Sequence, residues 1–150
     1  MGCNHTEKSV ISRKIYFKKA TPKTWAIYAE TYSHDSLVLK SVWKVDYPIF
    51  HLDTVDLNND GVCEIVVGVV KTTRWDKRLA KRLFIYKLYE GHIRPLWLGS
   101  KLAHQLDSFT IIRGQVPVIL TFETDTLGHQ LQSEYQLASF GLKWISDKIK

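Results

Sequence analysis

Three segments of this 150-residue chain end alike: "AIYAETYSHDSLVLKSVWKV", "FIYKLYEGHIRPLWLGSK" and "EYQLASFGLKWISDK". Each has a run centred on a tyrosine (Tyr28, Tyr86, Tyr135), then turn residues, then a second run carrying a tryptophan (Trp43, Trp97, Trp144). The tryptophans are 54 and 47 residues apart, which is a supersecondary period rather than a helical one. Between copies lie two further runs, "FHLDTVDLNNDGVCEIVVGVV" and "SFTIIRGQVPVILTFET". The unit is therefore two hairpins, or four strands in roughly 50 residues, the size of a propeller blade.

The runs alternate apolar and polar residues or are rich in β-branched and aromatic ones, as half-buried strands are. They predict strands near 12–18, 24–32, 37–45, 50–56, 63–72, 82–89, 92–98, 108–113, 116–124, 133–140 and 142–149. Turn signals separate them: "SHDS", "NNDG", "EGH", "RGQ", "DTLGH" and "FG". Trp75, Leu79 and Leu83 fall at helical spacing, so "TRWDKRLAKR", residues 73–82, also fits a short amphipathic helix. A solvated hairpin arm is the preferred reading there. The expected fold is all-β, with ten to eleven antiparallel strands in about three blade-like repeats (11–48, 49–101 and 102–150) behind a flexible tether at 1–10. The first copy has one strand where two are expected, and closed propellers need about four blades. The array should stay open, as an incomplete β-propeller, with a β-sandwich as the alternative.

The composition fits a globular domain, with 45% hydrophobic and 24% charged residues. No apolar run approaches the length of a membrane helix. The formal net charge of +6 favours anionic surroundings. Only Lys71 to Arg82 is dense in basic residues, with six against the single Asp76. Within it Arg74, Trp75, Lys77, Arg78, Lys81 and Arg82 form the candidate binding surface, cations beside an aromatic. The plainer reading is a solvated edge blunted by lysine and arginine. The remaining basic residues read as dispersed surface charge.

The chemically purposeful stretch is "DLNNDGVCEIVVG", residues 56–68. Asp56, Asn58 and Asp60 alternate, Gly61 permits a sharp turn, Val62 offers a carbonyl and Glu64 closes the set. Such oxygen-rich spacing suits calcium, which takes six to eight oxygens. An EF-hand is excluded, because its twelfth position falls on Val67 and strand-like residues follow. A metal-free Asn/Asp-Gly hairpin turn is the plainer alternative. The pattern D-x-N-x-D-G-x-x-E followed by "IVVG" resembles the FG-GAP repeat of integrin-type propellers and the related VCBS repeats. The resemblance implies a structural Ca2+ held by Asp56, Asn58, Asp60 and Glu64 through side chains and by Val62 through its carbonyl. Glu64 stands where that family usually has Asp. The matching turn of the third repeat, "IIRGQVPVI", has no acidic residue.

Two cysteines, Cys3 and Cys63, do not make a disulfide framework. Cys63 reads as a small buried hydrophobe. "MGC" followed by polar residues resembles the start of a mature bacterial lipoprotein, which makes Cys3 a lipidation candidate. Other constellations are weaker. His51 and Asp53 share a strand face, but such a pair is more often structural. His104, Asp107 and Ser108 crowd one loop without a nucleophile elbow. No phosphate loop, zinc motif or dinucleotide fingerprint occurs.

The leading expectation is a non-catalytic cell-envelope binding protein, periplasmic or surface-lipidated, or else soluble and extracytoplasmic. It would contact protein or glycan. Nucleic acid is not expected, a membrane only through a lipid on Cys3, and a homo-oligomer is compatible. The alternatives are an enzyme or enzyme subunit acting on envelope polysaccharide, and a structural subunit whose blades a partner chain completes. Turnover on glycan would mark the first alternative, and oligomeric mass the second.

Overall fold

A computed structural model describes residues 11–74, 76–99, 102–138 and 141–149. Cys3, the 1–10 tether and Trp75 lie outside the described residues, and so do the expectations placed on them. The described residues form eleven strands and no helix. They are β1 (Ile11–Thr21), β2 (Thr24–Ser33), β3 (Ser36–Val45), β4 (Ile49–Val55), β5 (Glu64–Lys71), β6 (Ala80–Tyr89), β7 (His92–Trp97), β8 (Gln105–Ile112), β9 (Val118–Thr124), β10 (Gln130–Ala138) and β11 (Gly141–Ile149).

All pairings are antiparallel. They give a three-stranded sheet 1 (β1-β2-β3), a four-stranded sheet 2 (β4-β5-β6-β7) and a four-stranded sheet 3 (β8-β9-β10-β11), none of them closed. The repeat is visible in register. Tyr28, Tyr86 and Tyr135 lie on β2, β6 and β10, each followed by a hairpin to the tryptophan strand. Ile27 pairs with Trp43, Ile85 with Trp97, and Tyr135 with Trp144, where a bulge has shifted the register. Among the described residues sheet 1 has three strands where sheets 2 and 3 have four. Among the described residues of 73–82 no helix forms, and β6 begins at Ala80.

Two apolar cores explain why the open array holds. Strand side chains alternate between faces. Ile65, Val67 and Val69 of β5 therefore join Phe84, Tyr86 and Leu88 of β6 against Ile27, Ala29 and Val45 of sheet 1. Val66, Leu83 and Ile85 point the other way, to Leu106, Phe109, Ile119 and Tyr135 of sheet 3. Sheet 2 is thus covered on both faces, which is why "EIVVGVV" reads as an unbroken apolar run. Ile65, Val66 and Val67 are fully buried, contributing roughly 1.5–3 kcal/mol each. Gly68 leaves room for the Phe50 ring lying across it, because an added Cβ would press on the far edge of that ring. Three sheets sharing a central one replace the two-sheet sandwich alternative.

Candidate metal centre

The β4–β5 connection, residues 56–63, is folded by its own acids. Asp56 Oδ1 accepts from Asp60 N at 3.1 Å and Oδ2 from Gly61 N at 2.7 Å. Asp60 Oδ1 accepts from Val62 N at 2.8 Å. Asn59 and Gly61 take positive φ values of 57° and 85°, which asparagine and glycine tolerate best. Leu57 is buried and anchors the loop in the core shared with sheet 3. Glu64, the first residue of β5, is 2% exposed and accepts from Leu57 N at 2.7 Å.

The fold brings carboxylate oxygens of Asp56, Asp60 and Glu64 within 4.8 Å of one another. This triad can hold a metal ion. Asn58 and Val62 stand exposed in the same loop, and the Asn58 N–H also donates to Glu64. Burial is the main reason that the Glu64 carboxyl is pushed up to about 7, and Asp60 and Asp56 add repulsion. The Leu57 and Asn58 amides oppose this without cancelling it. A buried carboxylate in that state calls for a proton or a cation.

Sequence reading missed what braces this loop from sheet 3. Asn59 Nδ2 donates to Gln115 O at 2.8 Å, in the β8–β9 turn that has no acids of its own. Arg113, from the same turn, donates to Asp53 Oδ1 at 2.9 Å and Thr54 O at 3.2 Å. The available signal was Arg113 itself, the one charged residue of "IIRGQVPVI".

Cys63 corrects an expectation. It is half-buried, precedes β5, and is disulfide-bonded rather than a free buried thiol. The pairing of β5 with its neighbours begins one residue later, at Glu64.

Most of the other predicted residues have partners within the protein. His51 packs edge-on against Phe109 at 4.9 Å, while Asp53 binds Arg113 and caps Thr54 N. His104 N donates to Glu123, Asp107 accepts from the Thr124 hydroxyl, and Ser108 is exposed. Three cations of the basic arm, Arg78, Lys81 and Arg82, bond within the protein. Arg78 forks onto Asp76 at 3.1 and 3.0 Å, and Arg82 reaches the same carboxylate at 3.1 Å. These partners hold the Asp76 carboxyl well below its ordinary range. Lys81 Nζ donates to Asp107 O at 2.9 Å, and Arg82 also binds the Lys71 and Arg78 carbonyls. Arg74 and Lys77 line a separate hollow beside Tyr47. Among the described members, Arg78, Lys81 and Arg82 line one hollow and Arg74 and Lys77 another.

A second buried carboxylate was also missed. Glu123 on β9 is fully buried and accepts from His104 N at 2.8 Å and Tyr135 Oη at 2.9 Å, with the Thr121 hydroxyl as a third donor. Tyr135 Oη in turn accepts from Ala103 N at 3.0 Å. Strand alternation puts Glu123 on the same inward face as Ile119, and that was its sequence signal.

Comparison with known proteins finds no matching family model, no matching curated protein and no matching solved structure.

Proposed function

We propose that this chain is a non-catalytic interaction protein of the FG-GAP or VCBS kind, with one structural calcium in the 56–64 loop. The observation that carries this reading is the convergence of three carboxylates around an otherwise undercompensated, buried Glu64. Calcium suits it better than magnesium, because Asp56, Asp60 and Glu64, with Asn58 and the Val62 carbonyl, offer many oxygens in an irregular loop. Magnesium favours few protein ligands and several waters. The ion's role is to pin the β4–β5 hairpin and, through Asn59, the neighbouring turn of sheet 3.

The disulfide at Cys63 supports an oxidising, extracytoplasmic setting. The only other cysteine in the sequence is Cys3. A sulfur committed to a disulfide cannot also carry a thioether lipid, so a bridge between the two favours the soluble extracytoplasmic form over the lipidated one. Non-reducing intact mass with thiol titration separates them: no free thiol and no added lipid mass is the expected result. For the calcium reading, titration calorimetry of EDTA-stripped protein should show one Ca2+ per chain, lost in Asp60→Ala. Absence of binding in the wild type refutes it.

A further inference from the structure

Strand register assembles a cationic surface that no stretch of sequence displays. On the outer face of sheet 1, β1, β2 and β3 align three rows: Lys18, Ala26 and Lys44; Tyr16, Tyr28 and Val42; Lys14, Glu30 and Lys40. All four lysines are exposed. Set against Glu30 they leave +3 on this one face, half of the chain's formal +6. The lysines are not splayed apart. Tyr16 and Tyr28 stack at 5.0 Å, and the Lys14 ammonium sits 5.3 Å from the Tyr16 ring centre. Lys18 and Lys40 lie 5.1 and 5.4 Å from the Tyr28 centre. Three ammonium groups thus gather on one aromatic pair. The single carboxylate beneath them already accepts from the Tyr16 and Tyr32 hydroxyls at 2.8 and 2.7 Å and lies 3.8 Å from Lys40.

Gathered like charges at an exposed site repel one another and attract a multivalent anion. We propose that this face binds an acidic polysaccharide, whose anionic groups lodge among Lys14, Lys18 and Lys40. The proposal rests on reading the chain as an interaction protein and names its ligand class. Nucleic acid suits the face less well. Its tyrosine rings are stacked on each other and topped by ammoniums, leaving no open platform for bases. The disulfide at Cys63 also fits a compartment outside the cytosol. A membrane suits it less well too, because the most exposed apolar side chains of sheet 1, Leu37 and Val38, sit near the β2–β3 turn and not among the lysines.

The test uses polygalacturonate as probe, in EDTA, with uncharged dextran as control. Binding should be seen with polygalacturonate alone and should weaken at least ~10-fold between ~50 and ~200 mM salt, as multivalent ion contacts do. The triple variant Lys14→Gln/Lys18→Gln/Lys40→Gln should lose at least ~10-fold in affinity at low salt, while Lys143→Gln, at an exposed position on β11 of sheet 3, keeps wild-type affinity. The proposal is overturned if the triple variant binds as well as wild type, or if Lys143→Gln loses as much. Tighter binding to oligo-dT or to phosphatidylglycerol vesicles than to polygalacturonate overturns it as well. The triple variant should keep its calcium-dependent rise in melting temperature, so the two readings fail separately.

Discussion

Glu64 and Glu123 are two nearly inaccessible carboxylates that perform the same local task and differ in what surrounds them. Each captures a backbone N–H from a neighbouring loop, Leu57 N for Glu64 and His104 N for Glu123. Around Glu123 the remaining oxygen faces two hydroxyls, from Thr121 and Tyr135. Around Glu64 the nearest ionisable neighbours are two more carboxylates. Burying a charge is tolerable when dipoles are aimed at it and costly when like charges are. Glu123 is therefore complete as it stands, whereas Glu64 is complete only with a proton or a cation. What surrounds each carboxylate is enough to tell a structural acid from a ligand-seeking one.

The largest effect should come from Glu123→Ala. It strands the Tyr135 and Thr121 hydroxyls and the His104 amide in the interior, so denaturant unfolding should show a loss of about 3–5 kcal/mol, the same with and without Ca2+. A loss that calcium repairs would dissolve the distinction between the two sites. Metal-free protein should show the reverse pH behaviour from an ordinary carboxylate protein. The Glu64 carboxyl titrates near 7 folded against 4.5 unfolded, so between these values the folded state holds the extra proton. Its contribution is full below about 4.5 and is lost as pH rises through about 7, by up to about 3 kcal/mol. Saturating Ca2+ should invert that slope, because protons then compete with the ion. Melting curves across pH 4–8 in EDTA and in Ca2+ check both signs.

Adding Ca2+ to stripped protein at 100 times its Kd should stabilise it by about 2.7 kcal/mol. Glu64→Gln should abolish that gain while leaving the metal-free protein at least as stable at pH 8, since it removes the repelled charge. The smallest effect belongs to the brace between sheets. Asn59→Ala should cost about 1 kcal/mol through the lost Gln115 bond, read by denaturant unfolding. If it also lowers calcium affinity, the ion and the packing of sheet 3 are coupled; an unchanged affinity confines the ion's influence to the hairpin.

Much of the fold was legible because strands announce themselves locally. The alternation in "VPVILTFET" and the run "EIVVGVV" specify strands whatever their neighbours are. Tyr28, Tyr86 and Tyr135 mark equivalent strands because the period of the repeat survives in sequence. The acids of the 56–64 loop were legible for a similar reason, as all lie within nine residues. Arg113 and Gln115 were not, since they reach the loop from another sheet more than 50 residues away. In the basic arm, the dense charge run does not show by itself that Asp76 takes both Arg78 and Arg82. Cys63 misled because an apolar context says nothing about what sulfur lies nearby.

By itself, then, the chain's sequence determined the all-β class, the fifty-residue unit and the acidic hairpin. Each is written in short-range periodicity and turn chemistry, where physical constraint acts over a few residues. Only the tertiary structure decided which charges are spent and which are offered. Register across β1, β2 and β3 gathers lysines up to 30 residues apart onto one face, and packing between sheets surrounds Glu123 with donors. Solvation and Coulomb energy depend on distance in space, and that distance is set by strand pairing and sheet stacking, not by position along the chain.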